Sequence, residues 1–255
     1  MYRLLRAGEW DDSLAGVCAL AVMSKAPRAG KVKTRLAPAL GFEGAAAINT
    51  CFLRDTARNI ADVAEAGGAL GLVCYTPVGD EEAFDHLLPH GFGLIAQRGD
   101  AFGERLLAAA EDILSCGFGA VCLIDSDSPT MPQEALQQAV RELARPGDRV
   151  VLGGSDDGGY YLIGLTKAFV EPFENITWST ASVYAETVAQ VRGAGLELVE
   201  LPVWYDVDDA ETLAVLEREL MGGERPPFAV SGHPDGYDAK ATREFLVERL
   251  ARLNI

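Results

Sequence analysis

The fold of this chain is decided by the stretch Ala120-Val121-Cys122-Leu123-Ile124-Asp125-Ser126-Asp127-Ser128-Pro129. Its first five residues are apolar without a helical period, which predicts a strand buried on both faces in the middle of a mostly parallel sheet. Ligands of open α/β sheets bind beyond the carboxyl ends of the strands, where Asp125 and Asp127 stand. Two hard oxygen donors beside a small serine suit Mg²⁺ or Mn²⁺. The same residues also fit a turn in which an aspartate caps the next helix.

Strands and helices alternate on both sides of this stretch. Short apolar runs predict strands over residues 17–23, 70–75, 93–96, 149–153, 160–163 and 196–201. Longer segments of helical composition predict helices over residues 44–65, 133–144, 183–192 and 210–221. Such alternation predicts an α/β fold with a single, mostly parallel central sheet flanked by helices.

The predicted domain covers residues 16–221. Residues 1–15 are polar and are predicted as an N-terminal extension. Residues 222–255 are predicted as a Gly/Pro-rich linker and a C-terminal helical arm. One role for this arm would be to form the contact of a homodimer.

The composition limits the classes of partner and compartment. The 255 residues are 49% hydrophobic and carry a formal net charge of −16, which argues against nucleic acid and anionic membranes as partners. The five cysteines form no Cys-x-x-Cys pair and favour free thiols in a reducing compartment. The apolar run over residues 16–23 is too short for a membrane span and follows acidic residues, so we expect a cytoplasmic protein.

A basic loop follows the first predicted strand. Its cations are Lys25, Arg28, Lys31, Lys33 and Arg35. A glycine, Gly30, and a threonine, Thr34, lie among them. Because Val32 follows Gly30-Lys31, the loop does not match a Walker A motif. A cationic loop at a strand end nevertheless suits a diphosphate, with lysines as point charges and arginine as a bidentate donor. A solvated basic surface is the alternative.

A second glycine-containing segment follows the strand over residues 93–96. Gln97, Gly99, Asp100 and Arg105 lie in it, and a helix begins within it. Glycines permit a ligand to approach the backbone closely, and the amino terminus of a helix favours a negative charge. A loop that only caps the helix would have similar residues.

A third segment, residues 153–164, contains two adjacent carboxylates, Asp156 and Asp157, between glycine pairs. A tight hairpin explains the glycines and one aspartate, whereas the second carboxylate favours a role toward a substrate, including acceptance of a proton. Farther along, Trp178 fits either a stacking surface for a sugar or base or a place in the core. Asp208 is a second candidate metal ligand, although an acidic residue there also fits ordinary helix capping.

These motifs together resemble a bacterial family of glycosyltransferase-like proteins in the nucleotide-diphospho-sugar transferase superfamily, which has the Rossmann-like GT-A type of α/β fold. The resemblance spans residues 16–221 and follows the expected order. It is carried by residues 25–38, Gln97-Arg98-Gly99-Asp100, Gly103-Glu104-Arg105, Ser126-Asp127-Ser128-Pro129, residues 157–164, Trp178-Ser179-Thr180 and Asp206-Val207-Asp208. Many relatives have glycine at the position of Asp125, so the resemblance places the metal on Asp127 first.

The resemblance implies a metal-dependent transferase with Mg²⁺ or Mn²⁺ as cofactor and three groups of site residues. The nucleotide would be held by Lys25, Gly30, Lys31, Lys33, Thr34, Arg35, Gln97, Gly99, Asp100 and Arg105. The substrate would face Asp156, Gly158, Gly159, Tyr160, Trp178, Ser179 and Thr180. The catalytic residues would be Asp127, Asp157 and Asp208, and the metal ligands would be Asp127, Asp208 and, in addition, Asp125.

Three functions remain open at this point. The first is glycosyl transfer from a nucleotide sugar to a small-molecule acceptor. The second is nucleotidyl transfer, in which a nucleoside triphosphate is joined to a phosphorylated acceptor with release of pyrophosphate, because that reaction needs the same metal and cationic loop. The third is a non-catalytic sensor of nucleotide sugars, which the many carboxylates near the predicted site argue against.

Overall fold

One mixed sheet of eight strands organises the computed structural model, which describes residues 2–253. The strands are β1 (Arg3–Leu4), β2 (Cys18–Lys25), β3 (Ala69–Thr76), β4 (Gly93–Ala96), β5 (Ala120–Ile124), β6 (Arg149–Ser155), β7 (Tyr160–Leu165) and β8 (Glu197–Trp204). Their order across the sheet is β1-β4-β3-β2-β5-β7-β6-β8. Three residues of the predicted terminal segments, Met1, Asn254 and Ile255, lie outside the described residues.

Strand β5 lies in the middle of the sheet, as its apolar run predicts, and every one of its residues is buried. It pairs in parallel with β2 and antiparallel with β7. The two pairings of β7 are antiparallel because the short turn after β6 leaves no room for a crossover helix. The other pairings are parallel, so the predicted α/β fold with a mostly parallel sheet is confirmed.

Helices cover both faces of the sheet. They are α1 (Ala37–Ala64), α2 (Phe102–Leu114), α3 (Gln133–Leu143), α4 (Val183–Gly193), α5 (Ala210–Glu217) and α6 (Lys240–Leu253). The apolar sides of α1, α3, α5 and α6 share one buried cluster with the sheet, and those of α2 and α4 share the other. Because both faces are covered, the polar edge at the carboxyl ends of the strands is left open for a site.

Helix α1 is longer than predicted and bends near its start, where Gly41 has φ 71° and ψ 166°. By length and composition alone, Thr34–Ala64 would suffice to cross a membrane. In the structure Ile48, Phe52 and Ile60 on this helix are fully buried against the sheet. Its apolar character is therefore accounted for by packing in the core.

The two terminal segments pack on the same core as the central residues. Residues 3–4 of the N-terminal segment pair with β4 as the edge strand β1. At the other end, α6 lies against α1, and the buried Asp55 of α1 accepts hydrogen bonds from the backbone nitrogens of Ala241 (2.9 Å) and Thr242 (2.7 Å). These bonds satisfy free N–H groups in the first turn of α6, which holds the helix against α1.

The strand directions fix where the loops meet. Strands β2, β3, β4 and β5 run in parallel, and β6 and β8 run the same way because β7 reverses between β5 and β6. The loops after β2, β4, β5 and β8 and the β6–β7 turn therefore lie along one edge of the sheet. Motifs more than 100 residues apart in sequence become neighbours there.

Candidate active site

A cavity of about 580 Å³ opens along this edge. Its walls come from the loop after β2, the segment after β4, the loop after β5 and the loop after β8. Ten of the residues predicted for the nucleotide and the metal line it: Lys25, Lys31, Lys33, Thr34, Arg35, Gln97, Gly99, Arg105, Asp127 and Asp208. The fold thus brings the basic loop, the glycine segment and the strand-end aspartates to one place.

The charge of this cavity is opposite to that of the whole chain. Five cationic side chains line it against two carboxylates, in a protein whose formal net charge is −16. A cavity with a net positive lining attracts an anion and raises its local concentration. The cavity volume and the distribution of the cations over two segments, the loop after β2 and the segment after β4, suit a ligand with several phosphate oxygens.

Lys33 lies at the centre of this arrangement. Its Nζ is 2.9 Å from Asp127 Oδ1 and 2.7 Å from Asp208 Oδ1, and its side chain is only 5% exposed. Its backbone is left-handed, with φ 46° and ψ 41°, at the start of the short 3-10 turn Thr34–Leu36. Burial by itself would lower the pKa of Lys33, but the two carboxylates outweigh burial and raise that pKa. The ammonium is therefore charged and joins two loops.

The loop after β5 is shaped by Asp125. Its carboxylate accepts hydrogen bonds from the backbone nitrogens of Asp127 and Ser128, both at 3.2 Å, and from Ser128 Oγ at 2.8 Å. Burial and the neighbouring charges of Asp127 and Asp206 raise the pKa of the Asp125 carboxyl. Asp125 does not line the cavity, and its carboxyl oxygens are engaged within the turn, so it has the turn-forming role; its part as an additional metal ligand stays a prediction. Its contacts aim Asp127 at the cavity.

The loop after β8 brings Asp206 and Asp208 to the same place. The backbone nitrogen of Val207 donates to Asp127 O at 2.9 Å, which joins this loop to the one after β5. The next aspartate, Asp209, caps α5 by accepting from the nitrogens of Glu211 and Thr212, both at 3.0 Å. Because Asp209 supplies the helix cap, the carboxylate of Asp208 is not needed there and pairs with the ammonium of Lys33.

Asp206 was not among the predicted site residues. Burial, with the charges of Asp157 and Asp208, raises the pKa of its carboxyl to about 6. Ser155 Oγ donates to its Oδ1 at 3.2 Å. An alternating acidic pattern after β8 was visible in the sequence, but which of its members faces inward depends on the path of the loop.

The donor chemistry of the cavity fits the divalent cation that the resemblance implies. Two carboxylates from separate loops already converge on a single cationic group, the ammonium of Lys33. Among residues 2–253, no group of three or more His, Cys, Asp or Glu side chains forms a complete cage. Mg²⁺ typically binds to one or two carboxylates and completes its shell with waters and substrate phosphates. Asp127 and Asp208 would be its protein ligands.

The predicted substrate residues lie beside this cavity and not in its lining. Asp156 and Asp157 form the β6–β7 turn, where Asp157 Oδ1 accepts from the backbone nitrogen of Gly159 at 2.8 Å. The backbone nitrogen of Asp156 donates to Trp204 O at 2.9 Å, which fixes the turn to β8. Burial and the charge of Asp157 raise the pKa of the Asp156 carboxyl. Gly158 has φ +92° and lies against the backbone of Ala181.

Trp178 packs between the cavity and the β6–β7 hairpin. Its ring centroid is 5.1 Å from that of Phe102, which lines the cavity, and 6.5 Å from that of Tyr160. A Cβ atom added to Gly103 would come within 2.7 Å of its Nε1, so only glycine fits under the indole. Trp178 is therefore a half-buried tryptophan packed at the rim of the cavity, and its stacking on a sugar or base stays a prediction. The next residues, Ser179 and Thr180, are exposed.

Several residues differ from the sequence-based expectation. Gly30 and Asp100 do not line the cavity, although their neighbours do. Conversely, Met23, Ser24, Val32, Asn49, Thr76 and Phe102 line it without having been predicted. Asn49 could have been suspected, because it is an amide on the buried side of an apolar helix. The others are small or apolar residues with no signal in the sequence.

Comparisons with known proteins show the family and the fold of the chain. Residues 59–180 match the family described as uncharacterized protein conserved in bacteria (DUF2064). A solved structure from Desulfovibrio desulfuricans G20, provisionally assigned as a nucleotide-diphospho-sugar transferase, is 32% identical; the match covers 92% of this chain and 95% of that one with a TM-score of 0.75. No curated protein sequence matches the chain.

More distant structures share the fold. CMP:2-keto-3-deoxy-manno-octonic acid synthetase, solved with CTP, is 14% identical with a TM-score of 0.51, over 82% of this chain and all of that one. The 4-diphosphocytidyl-2C-methyl-D-erythritol synthase of Anaerococcus prevotii DSM 20548 is 11% identical with a TM-score of 0.50, over 78% of this chain and 96% of that one. At such identities the likeness extends to the fold alone.

Proposed function

Because this chain belongs to the bacterial glycosyltransferase-like family of the nucleotide-diphospho-sugar transferase superfamily and is a transferase, we propose that it moves a sugar from a nucleotide-activated donor to a small-molecule acceptor with the help of Mg²⁺ or Mn²⁺. The observation that carries this proposal is the cavity in which five cations surround a pair of converging carboxylates. The donor is expected to place its diphosphate in that cavity.

The cations of the cavity have the task of binding the donor. Lys25 and Lys31 offer point charges, and Arg35 and Arg105 offer two-pronged donors for phosphate oxygens. Asp127 and Asp208 would hold the divalent cation, which when bound would add positive charge next to the diphosphate. Cleavage of the bond between the sugar carbon and the diphosphate oxygen leaves negative charge on that oxygen, and these side chains stabilise it.

The acceptor is proposed to bind on the side of the β6–β7 turn. Its hydroxyl oxygen forms the new bond to the sugar carbon, and its proton passes to a carboxylate. Asp157, at the tip of the turn, is our candidate for that base, with Asp206 and Asp208 as its nearest alternatives. Trp178, next to Phe102, offers an aromatic surface between donor and acceptor.

Nucleotidyl transfer to a phosphorylated acceptor is the second candidate. Its triphosphate substrate would suit the same cationic cavity. The acceptor side, however, presents Asp156, Asp157 and Asp206, and carboxylates repel a phosphate group. This charge distribution favours an acceptor without negative charge and therefore favours glycosyl transfer.

We place the reaction in the cytoplasm, since all five cysteines are free thiols, as in proteins of a reducing compartment.

The test is to incubate the protein with Mg²⁺ or Mn²⁺, a panel of nucleotide sugars or nucleoside triphosphates, and a panel of hydroxyl compounds. Release of a nucleoside diphosphate from a nucleotide sugar would support the proposal. Release of pyrophosphate from a triphosphate would replace it with nucleotidyl transfer. A rise in melting temperature with a nucleotide sugar but without turnover on any acceptor would indicate the non-catalytic sensor.

A further inference from the structure

The position of Lys33 has a consequence for metal binding. We propose that its ammonium holds the place of the divalent cation in the ligand-free protein and leaves that place only when a diphosphate offers it another partner. Metal binding would then depend on the donor. This inference rests on the proposed function for the identity of the diphosphate, but the exchange itself depends only on the residues around Lys33.

The contacts of Lys33 are those expected of a substitute cation. Its Nζ contacts one carboxylate oxygen of Asp127 and one of Asp208, at 2.9 and 2.7 Å. The second oxygen of Asp208 is 3.4 Å from Arg35 Nη1, and Ser126 Oγ donates to Asp127 Oδ1 at 3.0 Å. The oxygens that would ligate a metal are thus already shared with donors.

Lys33 is also more deeply placed than the other cations around it. Its side chain is 5% exposed, whereas that of Arg35 is 75% exposed. The ammonium occupies the space between the two carboxylate oxygens, and two cations a few ångströms apart repel each other. A divalent cation therefore cannot bind between Asp127 and Asp208 while the ammonium stays between them.

The exchange needs a second anion close by. In the cavity, which Lys33 itself lines, the donor's diphosphate would supply it, because phosphate oxygens accept hydrogen bonds from an ammonium at least as well as carboxylates do. For this exchange only the side chain of Lys33 has to change its rotamer, while its backbone keeps the left-handed conformation. Thus the diphosphate and the metal would enter together, and the metal alone would bind weakly.

The test measures Mn²⁺ binding to the full, ligand-free chain by the loss of the free Mn²⁺ signal in electron paramagnetic resonance. Lys33→Met removes the substitute cation, and we expect the protein to bind Mn²⁺ at least about tenfold more tightly than the wild type. Lys31→Met is the matched control, because Lys31 lines the same cavity and pairs with neither carboxylate. Equal Mn²⁺ affinities for the two variants would overturn the proposal.

Two further variants keep the result interpretable. Lys33→Arg retains the charge and should bind Mn²⁺ as weakly as the wild type. Lys33→Gln removes the charge but keeps a polar side chain; it should gain Mn²⁺ affinity as Lys33→Met does, and it replaces that variant if Lys33→Met fails to fold. Adding Asp208→Asn to Lys33→Met should abolish the gain, since the gain requires both carboxylates. A gain that persists in this double variant would show that Mn²⁺ binds elsewhere and would overturn the proposal.

This measurement is independent of catalysis. If no nucleotide sugar is turned over but Lys33→Met still gains Mn²⁺ affinity over Lys31→Met, the proposed function fails and the inference about Lys33 stands. If turnover is found but the two variants bind Mn²⁺ equally, the reverse holds.

Discussion

The two sides of the active-site edge differ in charge and in how they are built. Under the proposed function this edge has a donor side and an acceptor side. The donor side, formed by the loops after β2 and β4 with Asp127 and Asp208, is lined by five cations. The acceptor side, formed by the β6–β7 turn, residues 176–182 and Asp206, presents carboxylates and an aromatic ring. The donor side is assembled from distant segments by ion pairs, whereas the acceptor turn is held mainly by backbone hydrogen bonds.

If the proposed function holds, this difference favours two substrates of different charge. A polyanionic donor is favoured on one side, and an acceptor with a neutral hydroxyl group is favoured on the other. The sides are joined along the chain by residues 206–208, and they also meet at the hydrogen bond from the Val207 nitrogen to Asp127 O and at the packing of Trp178 on Phe102. Substitutions on one side should therefore affect one substrate and leave the other largely unchanged.

The largest effect is expected on the acceptor side, from Asp157→Asn. Asparagine keeps the oxygen that accepts from the Gly159 nitrogen, so the turn should survive while the base is lost. We expect kcat to fall roughly 100- to 10,000-fold, as for loss of a general base, with donor affinity unchanged. Steady-state kinetics and donor titration measure the two quantities.

Asp156→Asn is the matched control for that variant, because Asp156 is its neighbour in the same turn. An equal loss of kcat in both variants, or a parallel loss of donor affinity, would contradict the separation of the two sides.

The next effect is expected from Asp127→Asn, at the point where the sides meet. Loss of one carboxylate ligand should reduce metal-dependent turnover on the order of 100-fold and remove the thermal stabilisation that Mn²⁺ and nucleotide give together. Asp209→Asn is the control, since asparagine caps a helix as well as aspartate does and Asp209 lies outside the cavity. Unchanged metal-dependent stabilisation in Asp127→Asn would refute the metal assignment.

A smaller effect is expected on the donor side, from Arg105→Met. Removing one charge-assisted contact should weaken donor binding about tenfold, and more at low salt than at high salt, with a smaller fall in kcat for saturating donor because Arg105 also faces the departing diphosphate. Arg98→Met is the control from the same segment, because Arg98 faces α2 and pairs with Glu111 at 2.6 Å and Asp112 at 2.8 Å. Calorimetric titration with the donor would compare the two variants, and equal affinities would place the diphosphate elsewhere.

The smallest effect is expected away from both sides, at Asp55. Asp55→Ala removes two hydrogen bonds to the start of α6 and should lower stability by about 1 kcal/mol, seen as a drop of about 2–4 °C in melting temperature. Activity at 25 °C should be retained. A loss of turnover in the folded variant would mean that the C-terminal helix affects the site as well as the core.

The sequence alone determined most of the strands and helices and the edge of the sheet at which the candidate site lies, but not β1 or the start of α1. The apolar run of β5 predicted a central strand, and the residues after it predicted where ligands bind, because burial on two faces leaves its mark on consecutive residues. Eight of the ten residues predicted for the nucleotide line the cavity, since the position of a loop after a parallel strand follows from the topology. Charge and glycine content, which are local properties, were sufficient for this.

The tertiary structure alone decided how individual side chains are used. Lys33 contacts Asp208, 175 residues away, only because β2 lies beside β5 and the loop after β8 crosses to it. Asp125 and Asp127 look alike in sequence, yet one supports its own loop and the other faces the cavity. The reason is that periodicity and turn residues reflect local backbone preference, whereas the direction of a charged side chain depends on which distant partner the packed sheet brings within reach.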